Sequence, residues 1–557
     1  MTSTVEIVIE NINQRRQVPQ GTSVSEIAEE YYNSLPDEHK HPILVALVNN
    51  EVQSLEYRIY NPKSIRLLDI RHRQGYRSFQ NSLCFLLYKA VRDTYPDAQL
   101  YIDHSILWGF YCRIEGIGNL SHSEVARAVR TRMKELQKMD LPFTSRTMLL
   151  SDAIELIEKE NIPETLRLFK SLNQLYVDMQ FLDGTVHKTS TPLVHTTGCL
   201  EGWDFRPYEE GYALTMNELV RKSDSNIKGA KIFHIFQEHH QWADLLEVPT
   251  IADLNERVRN HQENHLIQVS EALHEKRYAQ IAEEIYRRKD SVRMVLLAGP
   301  SSSGKTTSCR RLSVQLNVLG FDVKQLSLDD YFVGRDRTPK LPNGEFDFES
   351  VNALDIELLN EHLIRLFRGE EVQIPTFDFL KGDPYFSGKT LQLGPRSILL
   401  VEGIHALNPL LTAQVPDEYK FKVYVSALTQ IAIDNQNIIH SSDNRLIRRM
   451  VRDNNFRGWN AYETLHRWDE VQRGEQLHIF PYQEEADMMF NSALLYELGV
   501  LSVFAQPLLK RVPENCEEYA EAQRLLNFIE LFEPIDAKFI PPTSIMREFL
   551  GDSSFEY

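Results

Sequence analysis

Hydrophobic and polar positions near the start of the chain predict a small unit of strands and one helix. Val5, Ile7 and Ile9 alternate with polar residues, which is typical of a half-buried strand. Ser23 or Ser25 is expected to cap a helix over 24–32, after a turn at 19–22. Two further strands are predicted, over 43–48 and 52–57, on either side of a turn. Residues 1–70 are therefore interpreted as one small α/β domain.

The middle of the chain has mostly helical patterning. A helix is predicted from Tyr76 to Thr94, at the start of a second domain over 71–225. Residues 226–290 are interpreted as a connector, with helices predicted over 232–242, 251–260 and 266–288. His261 and His265 lie one helical turn apart there, a spacing that can clamp a metal ion. No third ligand is evident, so a solvated helix face is the better interpretation.

From residue 291 onward, short apolar runs alternate with helical patterns. The runs at 292–298, 321–328 and 397–404 predict buried strands, and Leu312, Leu316 and Leu319 lie on one face of a helix over 307–319. Alternation of this kind predicts a parallel sheet covered by helices. The chain as a whole is expected to be an α/β multidomain protein whose last domain spans 291–557.

A glycine-rich loop lies between the first of these strands and its helix. It reads G-x-x-x-x-G-K-[ST] and consists of Gly299, Pro300, Ser301, Ser302, Ser303, Gly304, Lys305 and Thr306. Its backbone N–H groups and the positive end of the following helix are suited to bind phosphate, and Thr307 is assigned to the same set. Lys305 is expected to reach the β- and γ-phosphates, and the Thr306 hydroxyl to bind Mg²⁺. The alternative is an accidental Gly/Ser turn, which the flanking strand and helix disfavour.

Charged residues follow two of the predicted strands and one helix. Asp329 and Glu402 end strands beside the loop, where ligands bind in such sheets. Asp329 is suited to accept a hydroxyl proton or to help hold Mg²⁺, and Glu402 to orient a Mg²⁺-bound water. A turn-forming Asp-Asp pair at 329–330 is the alternative. Several arginines lie within 445–457. They form either a solvated helix face or a lid over a triphosphate.

Composition narrows the class of protein. At 557 residues the chain is long enough for three or four domains. A net charge of −18 argues against a generally nucleic-acid-coating surface. The five cysteines are scattered, with no C-x-x-C pair, which favours a reducing compartment. No signal peptide and no apolar run of about 20 residues is evident, so we expect a cytoplasmic enzyme without a membrane partner.

The C-terminal motifs together resemble those of the uridine kinase and phosphoribulokinase family of P-loop kinases. They are the loop, L-S-x-D at 326–329, F-D at 346–347, P-T-x-D-F at 375–379, E-G-I at 402–404, and R-L-x-R-R-x-x-R-D-x-x-x-R-G at 445–458. The resemblance implies ATP and Mg²⁺ as cofactors and a hydroxyl group, on a nucleoside or related metabolite, as the γ-phosphoryl acceptor. It also implies roles for single residues: Asp329 as general base, Asp347 on the ribose hydroxyls, Glu402 supporting Mg²⁺, Phe377 and Arg445 near the substrate, Arg449 and Arg452 in catalysis, and Arg457 with the nucleotide.

Two departures from that family bear on the acceptor. The family's Tyr and His, which read a pyrimidine, are replaced by Phe377 and Gly382, so an aromatic face and empty space are predicted there. A longer segment over 426–442 is a candidate for reshaping the acceptor pocket. Two alternatives stay open: a phosphoribulokinase-like sugar kinase, and an RNA-binding or tRNA-sensing protein that uses the P-loop domain as a switch.

The front half resembles part of a tRNA synthetase. Residues 1–70 are similar in pattern to the ubiquitin-like TGS domain, and 71–225, which include 76–87 and 108–111, resemble the second domain of threonyl-tRNA synthetases and the related alanyl-tRNA editing domains. The family's H-x-x-x-H falls on Asn81 and Phe85, and its C-x-x-x-H on Thr189 and Leu193. These residues cannot form the metal site, so the fold is expected without hydrolysis. His187 and His195 nearby are interpreted as surface or satisfied core residues. A tRNA or RNA contact and a homo-oligomer are further expectations.

Overall fold

The structure is a computed structural model that describes residues 3–36, 38, 40–106, 109–216, 230–341, 344–378 and 381–556. Three sequence-based assignments lie outside the described residues. They are Trp108 in the synthetase-like motif, the predicted boundary at 225/226, and Phe379 in P-T-x-D-F.

The front of the chain forms one helix against a mixed sheet. Its elements are β1 (Thr4–Ile9), β2 (Gln14–Pro19), β3 (Thr22–Ser23), α1 (Val24–Ser34), β4 (Val45–Val48), β5 (Glu51–Gln53), β6 (Arg58–Ile59) and β7 (Lys63–Leu68). The main sheet has the order β2-β1-β7-β4-β5, with β1 and β7 parallel. Ser23 is the helix cap: its hydroxyl accepts the Glu26 N–H at 3.3 Å.

The sequence prediction missed two strands of this sheet. β2 contains Gln14, Arg15, Arg16 and Gln17, and of its residues only Val18 is buried. It pairs with β1 at the edge of the sheet, so its sequence shows no apolar face. β7 does carry buried Ile65 and Leu67 at alternate positions, and that signal was available in the sequence.

The second region packs helices against two antiparallel sheets. Its elements are α2 (Arg73–Thr94), β8 (Gln99–Ile106), β9 (Gly109–Glu115), α3 (His122–Lys138), β10 (Thr144–Leu149), α4 (Leu150–Lys159), α5 (Pro163–Ser171), β11 (Tyr176–Leu182), β12 (Thr185–His187), β13 (Trp203–Tyr208) and β14 (Gly211–Met216). The strand orders are β13-β14-β9-β8 and β10-β11-β12. The predicted helix at 76–94 is confirmed as α2, which begins three residues earlier.

Three helices connect this region to the last one: α6 (Ala230–Leu245), α7 (Ile251–Arg259) and α8 (Glu263–Arg287). They confirm the helices predicted for the connector. His261 lies in the turn between α7 and α8 with a φ of 56°, so it shares no helix with His265. Among the described residues, no cluster of three or more His, Cys, Asp and Glu side chains is arranged to hold a metal ion.

The last region confirms the predicted parallel sheet. Its elements are β15 (Met294–Ala298), α9 (Lys305–Val318), β16 (Asp322–Ser327), α10 (Ile356–Phe367), β17 (Val372–Gln373), β18 (Thr376–Asp378), β19 (Asp383–Tyr385), β20 (Thr390–Leu391), β21 (Ser397–Glu402), β22 (Lys420–Ser426), α11 (Ser441–Phe456), α12 (Ala461–His466), α13 (Trp468–His478), β23 (Met488–Asn491), α14 (Glu497–Leu509), α15 (Glu518–Ile529) and α16 (Arg547–Leu550). The order is β16-β21-β15-β22-β23, and all pairs are parallel.

A buried ionic cluster joins the second region to the last one. Asp443 at the start of α11 accepts hydrogen bonds from Arg77 of α2 at 2.9 Å and from Arg524 of α15 at 2.8 Å. Glu521 of α15 pairs with Arg73 at 2.8 Å and also with Arg77 and Arg524. Although burial alone would raise it, Arg524 and Arg77 hold the pKa of Asp443 below its ordinary value. Removing one member would leave the remaining buried charges less well compensated, so this contact ties the two regions firmly together.

The segment over 426–442 extends this contact. The Ile102 N–H donates to Asn435 O at 2.8 Å, and the side chains of Gln436 and Asn437 donate to Leu100 O and Lys188 O at 3.1 and 3.0 Å. These contacts turn residues 435–437 toward the second region, and a role of the segment in the acceptor pocket stays a prediction. None of the helices in the described ranges combines the length and apolar character that a bilayer span requires.

Candidate active site

The glycine-rich loop connects β15 to α9 and depends on two of its glycines. Gly304 has a φ of 80°, a left-handed conformation that side chains disfavour. At Gly299 a Cβ atom would run into Val425 O of the neighbouring strand β22. The loop can therefore lie tightly over the carboxyl ends of the strands, which is the position expected for a phosphate-binding loop.

The donors of the loop make contacts within the protein. Glu475 Oε1 accepts the Ser301 N–H at 3.0 Å, and Lys305 Nζ donates to Pro300 O at 3.0 Å. Lys305 is only 8% exposed. Burial lowers its pKa, while Glu402 and Asp329 oppose that shift. Thr306 is the second residue of α9, as expected for a side chain at the base of the loop.

Two carboxylates approach Lys305 from neighbouring strands. Glu402 ends β21, where it pairs with Leu297 of β15 on one side and with Ser327 of β16 on the other. Asp329 follows Ser327 by two residues, so both carboxylates lie at the same edge of the sheet. Burial raises the pKa of Glu402 to about 8; Lys305 opposes the rise and Asp329 adds to it. Crowded carboxylates of this kind are suited to a divalent cation.

Three arginines gather around one buried carboxylate beside the loop. Arg449 lies 3.3 Å, Arg452 2.8 Å and Arg457 3.6 Å from Asp453, whose side chain is fully buried. Arg449 also donates to Ser301 Oγ at 2.8 Å. Burial and the adjacent Arg452 lower the pKa of Arg457 to about 10. Three guanidinium groups and a single carboxylate leave a net positive charge, which is suited to polyphosphate.

Two other arginines of α11 have structural partners. Arg445 forms a buried pair with Glu475 and donates to Ser301 O at 3.2 Å. Arg448 pairs with Glu497, and its side chain is fully buried. The structure thus places Arg445, predicted near the substrate, against the loop, where it holds the backbone of Ser301.

The acceptor side differs from the sequence expectation at one point. Phe377 packs against Phe332 with 5.5 Å between ring centroids and is buried, as an aromatic wall requires. Asp347 is held by its N–H, which donates to Pro339 O at 2.8 Å. The space predicted to be empty at Gly382 is filled by the side chain of Arg335, which lies where a Cβ would stand. That prediction was wrong because the residue that fills the space comes from a different segment of the chain.

Sequence reasoning also missed Glu349. Its Oε2 is buried and has no hydrogen-bond partner within the described ranges. Burial raises the pKa of Glu349 to about 7; Arg449 opposes the rise and Glu475 adds to it. Its position two residues after the F-D motif was the available signal. Glu475, which engages both the loop and Arg445, had no motif around it.

The synthetase-like positions in the second region form no comparable centre. Asn81 donates to Thr191 Oγ1 at 2.6 Å, and Thr189 Oγ1 donates to Thr191 O at 2.8 Å. Phe85 is fully buried, with its ring 4.9 Å from that of His187. Burial lowers the pKa of His187 to about 3, which keeps it neutral. His195 instead pairs with Glu56, in the turn between β5 and β6, at 2.8 Å.

Comparison with known proteins places the similarity in the C-terminal part. Residues 294–494 match the model of the phosphoribulokinase / uridine kinase family. Uridine kinase of Staphylococcus haemolyticus is 28% identical over 194 residues, which cover 35% of this chain and 84% of that protein. Uridine kinase of Schizosaccharomyces pombe is 30% identical over 181 residues, covering 32% of this chain and 36% of that protein. Among solved structures, D-glycerate 3-kinase from Cryptococcus neoformans aligns with 48% of this chain and 89% of its own, at 16% identity and a TM-score of 0.21. The sequence matches support a kinase domain related to this family in the C-terminal part.

Proposed function

We propose that residues 291–557 form an ATP- and Mg²⁺-dependent kinase that transfers the γ-phosphoryl group to a hydroxyl of a nucleoside or related small metabolite. The observation that carries the proposal is the meeting of Lys305, Asp329 and Glu402 at the ends of three adjacent parallel strands. The arginine cluster around Asp453 completes the charge pattern that a triphosphate needs.

The residues present fit a divalent cation. Glu402 and Asp329 repel each other in a buried setting, and a cation would relieve that repulsion. Thr306, Glu402 and Asp329 would hold Mg²⁺ there. When bound, the ion would neutralise charge on the phosphate oxygens.

The transfer step needs one proton acceptor and several positive groups. Asp329 takes the proton of the acceptor hydroxyl, whose oxygen forms a bond to the γ-phosphorus as the bond to the ADP oxygen breaks. Lys305, Arg449 and Arg452 stabilise the charge that spreads over the transferred group. The loop N–H groups, Thr307 and Arg457 hold the rest of the nucleotide. Most of the catalysis is positioning and charge stabilisation.

The acceptor pocket supports a second candidate in the same class. Phe377 offers an aromatic face, and Arg335 takes the place of the family's base-reading histidine. A guanidinium group recognises phosphate or carboxylate better than the edge of a neutral base. This observation favours a phosphoribulokinase-like enzyme with an anionic, sugar-like acceptor, for which Asp347 would hold a pair of hydroxyls.

ATP turnover with a panel of acceptors tests the proposal and separates the two candidates. The panel contains uridine, cytidine, purine nucleosides, their 2′-deoxy analogues, and ribose beside ribose 5-phosphate. We expect weak discrimination among bases, about 10- to 200-fold at most, and a firm requirement for the hydroxyl pair. A preference for ribose 5-phosphate over ribose would select the sugar kinase. No acceptor-dependent turnover with any member would contradict the kinase.

For the front half we propose a TGS-like domain over 1–70 and a non-hydrolytic synthetase-like domain over 71–225, followed by the connector over 226–290. A cytoplasmic homo-oligomer and a tRNA contact through this half belong to the same proposal. The alternative of a tRNA-sensing protein predicts binding of tRNA that weakens steeply with salt, measured by a mobility shift. Binding that controls ATP hydrolysis without any small-molecule acceptor would favour the alternative.

A further inference from the structure

The segment over 541–551 packs directly against the phosphate loop. Ile545 fills the space beside Gly304, where a Cβ would stand 2.5 Å from its Cδ1. The Asn455 side chain donates to Phe549 O at 3.1 Å, and the Arg448 guanidinium lies 5.1 Å from the Phe549 ring centroid. Ile545 and Phe549 are fully buried. The segment therefore touches both the loop and the helix α11 that carries the arginine cluster.

One side chain of this segment enters the nucleotide site. A single carboxylate oxygen of Glu548, Oε2, accepts the Thr307 N–H at 3.1 Å and the Thr307 hydroxyl at 2.7 Å. Thr307 lies in the first turn of α9, whose N–H groups and positive end are suited to phosphate oxygens. A carboxylate oxygen is an acceptor of the same kind and charge. Glu548 also acts electrostatically on Lys305 and Glu402, so it lies within the charged centre.

Glu548 and a nucleotide phosphate would compete for the same donors. Two negative groups on one N–H and one hydroxyl would repel each other in a largely buried site. We propose that the segment over 541–551 is an autoinhibitory clasp in which the Glu548 carboxylate stands in for a nucleotide phosphate on Thr307 and must leave before a triphosphate binds. The proposal rests on the proposed function only in taking a nucleoside triphosphate as the ligand.

The clasp links nucleotide binding to α11, the helix that carries Arg449 and Arg452. In this proposal Phe549 moves with Glu548, because the two are neighbours in the single short turn α16. Displacing Glu548 therefore frees the contacts of Asn455 and Arg448 with Phe549. Binding of the triphosphate would release α11 at the end that carries Arg452 and Arg457, so that these side chains can close on the phosphates.

The test compares nucleotide binding by the full chain and by Glu548→Gln, measured by titration calorimetry with MgATP and no acceptor. Glutamine keeps the size of the side chain but removes its charge, so we expect about 5- to 20-fold tighter binding, within the usual range of coupling between sites. Asp552→Asn is the matched control: its side chain is 96% exposed, and its affinity should equal that of the wild type. Equal or weaker binding by Glu548→Gln would overturn the clasp. If neither protein binds MgATP, the clasp and the kinase both fail.

A second measurement uses the wild type alone. Hydrogen exchange at residues 543–551 should speed up when MgATP is added, because the segment leaves the loop. Unchanged or slower exchange there would contradict the clasp. Binding of MgATP with normal affinity would at the same time leave the kinase proposal standing, so the two failures are distinguishable.

Discussion

Two regions of this protein contain positions predicted from the sequence to correspond to motifs of catalytic families, and they treat their polar groups in opposite ways. In the second region, Asn81 and Thr189 are hydrogen-bonded to Thr191, and Phe85 is apolar. At the phosphate loop, by contrast, like charges are held together. Glu402 and Asp329 crowd one edge of the sheet, and three arginines surround Asp453.

This difference distinguishes a satisfied site, whose polar groups are already paired within the protein, from a site that requires a ligand. Neutral pairs and buried rings need nothing further, and they stabilise the fold. Clustered like charges cost free energy that a ligand of complementary charge relieves. Burial is the larger cause of the shifts and the neighbouring like charge adds to it: the pKa of Glu402 rises to about 8, and that of Arg457 falls to about 10. Such a cost is retained where binding or catalysis needs the charges.

The strongest test of the charged region is Lys305→Ala. We expect phosphoryl transfer to be abolished, because the variant loses the point charge on the β- and γ-phosphates. Steady-state ATP turnover with the best acceptor measures it. Lys289→Ala, at an exposed position, is the control and should keep full activity. Turnover near that of the wild type in Lys305→Ala would show that the charge cluster is not catalytic.

Asp329→Asn should have the next largest effect. Nucleotide affinity should stay roughly unchanged while kcat falls by about 10²-fold or more, as for a lost general base. Asp330→Asn is the matched control: burial raises the pKa of Asp330, and the side chain lies 3.9 Å from Lys389. If Asp330→Asn is the crippling change, the proton acceptor is the neighbouring carboxylate.

The sequence predicted the charged region better than the rest of the molecule because its signals are local. The strand, loop and helix at 292–319 follow one another directly, and Asp329 and Glu402 end apolar runs. Contacts between distant segments gave no such signal. Glu548 lies 241 residues from Thr307, and Arg335 fills the space at Gly382 from a different segment.

The buried charged cluster between the second region and the last one could not be predicted from the sequence either. Arg77, Asp443 and Arg524 form a buried cluster, yet in sequence each has the pattern of a solvated helix face. The edge strand β2 was missed for a related reason, since its exposed polar residues show no alternation. Burial by a partner segment changes what a polar residue does, and the partner is not adjacent in the chain.

The buried imidazole of His187, in the second region, predicts that the free energy of unfolding depends on pH. Its pKa is about 3 in the folded protein and 6.5 ordinarily. Between these values the unfolded chain binds a proton that the folded chain does not, so the free energy of unfolding falls as the pH falls. The loss is about 1.4 kcal/mol per pH unit below 6.5, or about 2 kcal/mol at pH 5.

His187→Phe should remove this loss, because phenylalanine can pack between the rings of Phe85 and Tyr88 without a proton to bind. Urea unfolding at pH 7 and pH 5 measures the change. His466→Gln is the control, since that side chain is 57% exposed, and it should keep the acid sensitivity of the wild type. An equal pH dependence in His187→Phe and the wild type would mean that His187 is protonated in the fold.

The smallest expected effect is no effect: the full chain should not deacylate mischarged threonyl- or alanyl-tRNA above the uncatalysed rate. Hydrolysis at the synthetase-like positions would need a metal ligand or a group that moves a proton. Asn81 and Thr189 already use their side chains on Thr191, while Phe85 and Leu193 offer neither chemistry. His187, whose ring lies 4.9 Å from that of Phe85, is kept neutral between two rings. Deacylation is followed as release of labelled amino acid, with Asn81→Ala as the matched variant. Activity in the wild type that Asn81→Ala abolishes would show that a satisfied site can still be a catalytic one.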